Sequence, residues 1–504
     1  MQRILTAAQF REVDRHAIVH EPISSIDLME RAAKACVHWI RSNVLPGIQF
    51  RIFCGPGNNG GDGAAIARLL ASSGYEVVCY SFGDIKKWSE DRRINDDRLL
   101  AAQQVLSEHI HDLDHLPSTG HGEVWIDALF GTGLTRPLED SYAEIVIRMN
   151  QSGARLIAID LPSGLMADDV PQPDSIIVKA DETLTFHAPK LTFFLTESGP
   201  FVGQWHVLDI GLDHAFTSTL TTDYLVPDWS DFAARFLPRK RFTHKGTYGH
   251  GLLVAGSRGK YGAAILSARG ALRSGIGLLS IQAPRSAEII IQSSVPEAMY
   301  VADSGSDSLA GPVTDLSGYK AVGIGPGCGT DPATVRFIRT LINDCTLPMV
   351  VDADGINALA GTFSSSDGIP SGTILTPHPK EFERITRPVK NDLERLKLLQ
   401  LFARTHQVIV VLKGAYTRIA LPDGKILFNT TGNAGLARGG SGDLLTGIIL
   451  AFLAQGYNQE DAAMLGVFVH GAAADKVATR TSMQSLSLDE VIHALPEVFS
   501  GLEK

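Results

Sequence analysis

One glycine-rich run near the C-terminal end reads Gly432-Asn433-Ala434-Gly435-Leu436-Ala437-Arg438-Gly439-Gly440-Ser441-Gly442-Asp443, and the apolar stretch Leu444-Leu445-Thr446-Gly447-Ile448-Ile449 follows it. Glycine adds no side chain to a core and costs backbone entropy, so a run this dense suits a backbone folded closely around a ligand. Because the apolar pattern resumes after Asp443, we expect Ser441-Gly442-Asp443 at the first turn of a helix, where unpaired N–H groups favour anions such as phosphate. The Asp443 carboxylate is then either a helix cap or a base aimed at a bound ligand.

Length and composition predict a globular protein of two or more domains. The chain has 504 residues, of which 44% are hydrophobic and 20% charged, and this length exceeds one ordinary core. The net charge of −10 argues against nucleic acid as the main partner. No apolar leader and no run of membrane-spanning length occurs in the sequence, so we expect neither a secretion signal nor a membrane partner.

The cysteines indicate a reducing environment. They number five, which is odd, and no C-x-x-C motif occurs among them. We therefore expect neither a disulfide framework nor a zinc site. The cytoplasm is the simplest location.

Short apolar strands alternate with helical patterns in both halves of the chain. Strands are predicted, for example, at 51–54 and 155–161 in the first half and at 408–412 in the second. Such alternation predicts an α/β fold with a parallel sheet and helices on both faces. A Ser/Thr-rich stretch without periodicity lies between the halves and ends at Pro227, so we expect domains at 1–216 and 228–504, joined by a linker at 217–227.

The first half contains a glycine-rich loop directly after a strand. It reads Gly55-Pro56-Gly57-Asn58-Asn59-Gly60-Gly61-Asp62-Gly63, and a helical pattern follows it. This is where α/β sheets bind phosphate-bearing ligands, beyond the carboxyl ends of the strands. The loop is not a Walker loop, because no G-K-[ST] follows it, and a purely structural turn is the alternative interpretation.

Two further strand ends repeat this pattern. Asp127-Ala128-Leu129-Phe130-Gly131-Thr132-Gly133-Leu134 and Asp160-Leu161-Pro162-Ser163-Gly164 each place an aspartate at the end of an apolar strand and glycine just after it. Because such loops converge at one edge of a parallel sheet, Asn59, Asp127, Asp160 and Ser163 could meet there. Oxygen ligands suit a hard cation, and a carboxylate suits proton transfer, although an aspartate can also simply cap a helix.

Together these three motifs resemble the N-terminal domain of the NAD(P)H-hydrate repair enzymes, the NAD(P)HX epimerase, over roughly residues 1–215. The resemblance implies a Rossmann-like, doubly wound domain. It implies that Asp160 contacts the hydrate and serves in proton transfer, and that Asn59, Asp127 and Ser163 hold a potassium ion. The substrate-binding residues that it implies, besides Asp160, are Asn58, Asn59, Gly60, Gly61, Asp62, Gly131, Thr132, Gly133, Leu134, Thr135, Arg136 and Pro137.

In the second half, strand ends again carry candidate site residues. His378 stands between two prolines in Thr376-Pro377-His378-Pro379, which hold the backbone extended and fix where the imidazole points. Lys413 ends the most apolar strand, where it can meet a phosphate or only extend to solvent. Two carboxylates end another strand in Val350-Val351-Asp352-Ala353-Asp354. A start of small residues at 262–264 permits close approach of a ligand or tight helix packing.

With the opening run, these motifs resemble the ribokinase-like superfamily and, within it, the ADP-dependent NAD(P)H-hydrate dehydratase, over roughly residues 225–504. Arg438 and Ser441 depart from the threonine that is commoner in the family. The resemblance implies Mg²⁺ with ADP, and Asp443 as the catalytic base. It implies substrate contacts from Ala263, Gly327, His378 and Asp443, and nucleotide contacts from Lys413, Gly414, Ala415, Tyr416, Thr417 and Gly442.

These resemblances predict a bifunctional metabolite-repair enzyme. It would interconvert the R and S epimers of NADHX and NADPHX and dehydrate the S epimer at the expense of ADP, giving AMP and phosphate. The alternatives are a small-alcohol, vitamin-precursor kinase with an N-terminal binding module, and a first domain that binds protein or RNA without catalysis. A homo-oligomer is the expected assembly, and the sequence leaves open ADP against ATP and NADHX against NADPHX.

Overall fold

The computed structural model describes residues 1–312, 314–363 and 369–503. The chain divides into two compact units. The N-terminal unit comprises residues 2–224 and 391–393, and the C-terminal unit comprises Met1 with residues 225–390 and 394–504. In the described part of the chain, no helix has the length and apolar character needed to cross a membrane.

The N-terminal unit alternates strands and helices as the sequence predicts. Its strands are β1 Gln2–Arg3, β2 Phe50–Cys54, β3 Val77–Ser81, β4 Leu106–His109, β5 Val124–Ala128, β6 Arg155–Ile159, β7 Glu182–Phe186 and β8 Gln204–Leu208. Its helices are α1 Ala7–His20, α2 Ser25–Asn43, α3 Asn58–Ser72, α4 Glu90–Ala102, α5 Asp140–Gln151, α6 Gly199–Val202 and α7 His214–Thr217.

Seven of these strands form one parallel sheet in the order β4-β3-β2-β5-β6-β7-β8. From β2 the chain first builds outward through β3 and β4, and then returns to the other side of β2 with β5. The strand order therefore reverses between β2 and β5, and ligands of such sheets bind in the crevice at that point. The loops after β2 and β5 carry two of the three motifs.

From residue 224 onward a second set of elements follows. Its strands are β9 Tyr224–Val226, which falls inside the stretch expected as a linker, and β10 His250–Val254, β11 Leu278–Ala283, β12 Met299–Ala302, β13 Ala321–Ile324, β14 Met349–Val351, β15 Ile374–Leu375, β16 Ile409–Leu412, β17 Arg418–Ala420 and β18 Ile426–Phe428. Its helices are α8 Trp229–Arg235, α9 Tyr261–Arg273, α10 Glu288–Ser294, α11 Pro332–Asp344, α12 Ala353–Ala358, α13 Pro379–Ile385, α14 Asp392–His406, α15 Ser441–Ala454, α16 Gln459–Ala478 and α17 Leu488–Leu502.

The central sheet of the C-terminal unit runs in the order β18-β17-β16-β15-β14-β13-β10-β11-β12. The strands from β16 to β12 in this order are mutually parallel. Strand β17 pairs antiparallel with β16, and β18 pairs antiparallel with β17. The carboxyl ends of the parallel strands therefore share one edge. Lys413, His378, Asp352 and Gly327 all follow strands that end at this edge.

Helix α15, which begins in the glycine-rich run, is the core helix of this unit. Every residue from Leu444 to Ala454 is buried, and a helix that is apolar all round belongs inside a protein. It packs closely on α9, because a Cβ added at Gly447 would lie 1.8 Å from the carbonyl oxygen of Ser267. Glycine at position 447, just after the glycine-rich run, therefore allows two helices to pack closely.

Candidate active sites

A cavity of about 600 Å³ lies in the N-terminal unit beyond the carboxyl ends of β2, β5, β6 and β7. Its lining joins the three sequence motifs to helices α1 and α2. The predicted site residues in its lining are Asn58, Asn59, Asp62, Gly131, Thr132, Gly133, Leu134 and Asp160. The predicted residues outside its lining are Gly60, Gly61, Asp127, Thr135, Arg136, Pro137 and Ser163.

The glycines after β2 are required by close backbone contacts. Helix α3 begins at Asn58, so most of the predicted loop is the first turn of a helix. A Cβ at Gly55 would lie 1.9 Å from the carbonyl oxygen of Leu129, and a Cβ at Gly60 would lie 1.9 Å from the carbonyl oxygen of Gly55. These contacts bring the start of α3 and the end of β5 together at the cavity.

Asp160 is held in place from three sides. Its backbone is left-handed, with φ of 68°. One carboxylate oxygen accepts a hydrogen bond from the Thr132 amide at 3.1 Å, and the other is paired with the Lys190 ammonium group. Lys190 is itself buried, donates to Thr185 and lies 4.4 Å from the centre of the Phe10 ring. Sequence motifs missed Lys190, because its role depends on a contact across the sheet edge.

The predicted potassium ligands fall into two groups. The Asp127 carboxylate accepts hydrogen bonds from the hydroxyl and amide of Ser163 at 2.6 and 2.7 Å. Both side-chain polar atoms of Asn59 are buried and lack hydrogen-bond partners in the described residues. A Cβ at Gly131 would contact both Asn59 and Asp160, so the amide points toward the motif loops. An unpartnered buried amide among oxygen donors fits a hard cation.

Carboxylates of the cavity are shifted toward the protonated form. Burial and the negative charges of Asp160 and Asp14 raise the pKa of Asp62. Burial and the charge of Asp160 raise the pKa of Asp14 to about 6, against the opposite effect of Lys190. Shifts of this kind are typical of sites that transfer protons. The motifs gave no signal for Asp14, which lies far from them on α1.

In the C-terminal unit, Asp443 lies in the first turn of α15, as predicted. The preceding Gly440 adopts a left-handed backbone with φ of 91°. The Asp443 carboxylate has no hydrogen-bond or ion-pair partner in the described residues, so it is not a helix cap. Burial and the charge of Asp352 raise its pKa to about 6. These properties favour the second interpretation from the sequence, a base directed at a ligand.

Lys413 and Asp352 form an ion pair beside this helix start. The Lys413 Nζ lies 2.7 Å from Asp352 Oδ1, and the Thr446 hydroxyl donates to Asp352 Oδ2 at 2.8 Å. Burial would raise the pKa of Asp352, but the Lys413 charge and these hydrogen bonds lower it overall. A Cβ at Gly442 would lie 3.0 Å from Lys413 Nζ. Glycine at this position therefore leaves space next to the lysine ammonium group.

The remaining predicted residues of this unit lie around the same sheet edge. Gly327 lies against Ala263, because its added Cβ would be 3.0 Å from the Ala263 Cβ. His378 is half-exposed and caps α13, where its Nδ1 accepts from the Glu381 amide at 3.3 Å. Glu381 also acts electrostatically on Asp443, which places the start of α13 near α15. Residues 414–417 form the turn between β16 and β17.

The first part of the glycine run is tied down by a helix. The Asp475 carboxylate of α16 accepts from the Gly432 amide at 2.8 Å and from the Asn433 side chain at 2.9 Å. Asn433 in turn accepts from the Gly435 amide at 3.0 Å. Although rich in glycine, this segment is therefore held in place by hydrogen bonds to α16 and within itself.

The two units define an α/β enzyme with two active sites, of which the second lies on a ribokinase-like fold. The C-terminal unit is similar to a ribokinase-like superfamily protein of Enterococcus faecalis V583, at 24% identity and a TM-score of 0.51, covering 56% of this chain and 99% of that one. It is also similar to the ADP/ATP-dependent NAD(P)H-hydrate dehydratase of Bacillus subtilis co-crystallised with ATP and Mg²⁺, at 34% identity and a TM-score of 0.50, covering 56% of this chain and 100% of that one.

Family models match both halves. The NAD(P)H-hydrate dehydratase model matches residues 251–497, and the model described as YjeF-related protein N-terminus matches residues 25–192. The bifunctional NAD(P)H-hydrate repair enzyme Nnr of Moorella thermoacetica is 34% identical over 521 residues, covering 99% of this chain and 97% of that protein. The chain belongs to the family of bifunctional NAD(P)H-hydrate repair enzymes. This membership favours the repair function over the kinase alternative.

Proposed function

We propose that the two units catalyse successive steps in the repair of hydrated NADH and NADPH. The N-terminal unit interconverts the R and S epimers at C6 of the nicotinamide ring. The C-terminal unit dehydrates the S epimer at the expense of ADP, giving AMP and phosphate. Together they return either epimer to the reduced cofactor.

The observation that carries the dehydration step is the unpartnered carboxylate of Asp443 at the start of α15. Hydroxide is a poor leaving group, so phosphoryl transfer to the C6 oxygen makes its elimination feasible. Asp443 takes the proton of that hydroxyl, and the amides at the helix start stabilise the phosphoryl group in transfer. Lys413 lies beside Gly442, where it can contact the nucleotide phosphates. Mg²⁺ bound with the nucleotide supplies further neutralisation of phosphate charge.

For the substrate side of this site, the neighbouring positions of Gly327 and Ala263 support a flat ligand contact at the sheet edge. His378 supplies a half-exposed imidazole there. Residues 414–417 lie directly after β16 and so can hold the nucleotide next to Lys413.

The test uses separated epimers and each nucleotide in turn. The full chain with the S epimer, Mg²⁺ and ADP should restore the absorbance band of reduced nicotinamide. Replacing ADP by ATP measures the nucleotide preference, and comparing NADHX with NADPHX measures the substrate preference. No recovery of NADH with either nucleotide would contradict the dehydratase function.

For the epimerase, Asp160 is the proposed catalytic residue, and the first turn of α3 with residues 131–137 forms the proposed substrate site. The position of Asp160 in the cavity lining supports this role. The variant Asp160→Ala should stop conversion of the R epimer and leave dehydration of the S epimer unchanged. Unchanged turnover of the R epimer would contradict the role of Asp160.

Asn59, Asp127 and Ser163 are the proposed ligands of a potassium ion, which would supply positive charge beside the substrate. The unpartnered amide of Asn59 supports this assignment. Exchange of K⁺ for Li⁺ should slow epimerisation and spare dehydration. Domain limits of 1–216 and 228–504, a homo-oligomeric assembly and a cytoplasmic location remain part of this proposal.

A further inference from the structure

The cavity of the N-terminal unit holds one carboxylate that belongs to none of the sequence motifs. Asp14 lies on α1 between Phe10 and Ile18, and all three line the cavity. Their spacing of four residues places them on one face of the helix. The Phe10 ring lies 4.4 Å from Lys190 Nζ, and Lys190 is paired with Asp160. Asp14 is therefore a neighbour of the Lys190–Asp160 pair.

The Asp14 carboxylate is free to act on a ligand. It is accessible from the cavity, and it makes no hydrogen bond or ion pair within the described ranges. The other charged or titratable groups that line the cavity with it are Arg11 of its own helix, Asp62, Lys87, Asp160, His187 and Lys190. Burial and the charge of Asp160 raise its pKa to about 6, so it can hold a proton close to neutral pH.

We infer that Asp14 is a second catalytic residue of the epimerase site and acts with Asp160 on the C6 oxygen of the hydrated nicotinamide ring. This inference rests on the proposed epimerase function. Inversion at C6 requires oxygen to leave from one face of the ring and to enter on the other. Two carboxylates from different walls of a cavity, α1 and the end of β6, suit this requirement.

The step balances with these two groups and water. Asp14 gives its proton to the C6 hydroxyl, and the C6–O bond breaks with its electron pair going to oxygen, which leaves as water. The lone pair of the ring nitrogen forms the C=N bond of an iminium ion. A second water adds to C6 from the other face, its proton passes to Asp160, and the C=N electron pair returns to nitrogen. Asp160 then releases its proton to solvent, and solvent protonates Asp14, so both carboxyl groups return to their starting states.

The test is Asp14→Asn in the full chain, with conversion of the separated R epimer followed by chromatography in the absence of nucleotide. We expect kcat for epimerisation to fall by about 10²- to 10⁴-fold, as for loss of a general acid, with little change in KM. Dehydration of the S epimer should be unchanged, and an unchanged thermal transition of the N-terminal unit reports correct folding. The control is Glu12→Gln, an exposed carboxylate on the same helix outside the cavity lining, which should behave as the unmodified chain.

Two further measurements separate catalysis from a structural role. The rate of epimerisation by the unmodified chain should fall as the pH rises above about 6. Asp14→Glu should be more active than Asp14→Asn, and its rate should also fall as the pH rises. Reaction in H₂¹⁸O should place ¹⁸O on C6 of the product. If the unmodified chain is active and Asp14→Asn is equally active, the role of Asp14 is overturned and the epimerase function is not. The same holds if the product carries no ¹⁸O label. An unmodified chain that cannot convert the R epimer would instead overturn the epimerase function.

Discussion

The two candidate active sites hold their central carboxylates in opposite ways. Asp160 has a left-handed backbone, accepts from the Thr132 amide and is paired with the buried Lys190. Asp443 lies in a regular helix, and its carboxylate has no partner in the described residues, while the nearby Lys413 is bound by Asp352.

The comparison shows that one site fixes the position of its carboxylate and the other raises the basicity of its carboxylate. An ion pair fixes the Asp160 carboxylate at one position in the cavity, which suits a reaction that inverts one carbon. Burial and the nearby charge of Asp352 raise the pKa of Asp443 to about 6, which makes it a stronger base for a hydroxyl proton. In the N-terminal site, the Asp14 carboxylate likewise has no hydrogen-bond or ion-pair partner in the described part of the chain.

The largest effect is expected from breaking the fixed pair. Lys190→Met leaves Asp160 without its cation, and loss of one partner of a buried ion pair costs about 3–5 kcal/mol. We expect epimerisation to be lost and the thermal transition of the N-terminal unit to move to lower temperature, with dehydration of the S epimer retained. Lys179→Met, at an exposed lysine of the same unit, is the matched control. Equal stability of the two variants would contradict the pairing.

A pair of glycine variants tests the packing of α15. Gly447→Ala places a Cβ 1.8 Å from the Ser267 carbonyl oxygen, whereas Gly439→Ala meets no atom within 4 Å. We expect Gly447→Ala to lower stability by about 1–3 kcal/mol, as overpacking does, and to impair dehydration by shifting Asp443. In denaturant unfolding and in the dehydration assay, Gly439→Ala should resemble the unmodified chain. A greater loss of stability in Gly439→Ala than in Gly447→Ala would contradict the close packing at Gly447.

Thr446→Val removes one hydrogen bond from the buried Asp352 and keeps the shape of the side chain. Since Lys413 still pairs with Asp352, we expect a loss of about 1–2 kcal/mol in stability and a reduced rate of dehydration, with unchanged epimerisation. The exposed Thr479→Val is the control. If dehydration is unaffected, the Lys413–Asp352 pair does not need Thr446.

The pH dependence of dehydration gives the smallest effect. Asp443 acts as a base only when deprotonated, and its pKa is raised to about 6. At saturating S epimer the rate should therefore be about ten-fold lower at pH 5 than at pH 7. Initial rates across this range check the expectation, and a flat profile would exclude a base of this pKa.

Local patterns in the sequence predicted strands such as β2, β6 and β16, the α/β class and the start of α15, because period and glycine content are local signals. They were less accurate for the role of glycine. Gly60 and Gly447 make close backbone contacts, and α3 begins at Asn58, inside the predicted glycine-rich loop. A glycine that admits another backbone has the same local pattern as one that admits a ligand.

The ion pairs that hold the site carboxylates could not be predicted from local sequence patterns. Lys190 and Asp160 are 30 positions apart, and Lys413 and Asp352 are 61 apart. Each pair forms because strands of one parallel sheet end at the same edge: β6 and β7 are neighbours, and β14 and β16 are separated by β15 alone. Asp14 reaches the cavity from α1, which carries no motif. Only the packed fold brings these side chains together.

The central claim is that Asp443 is the base of a dehydration site separate from the epimerase site. The direct measurement is Asp443→Asn, assayed for S-epimer dehydration with ADP, for ADP binding and for R-epimer conversion. We predict that dehydration falls by about 10²- to 10⁴-fold while ADP binding and epimerisation persist. Asp489→Asn, an exposed carboxylate in the first turn of α17, should leave all three unchanged. Retention of dehydration by Asp443→Asn would contradict the claim.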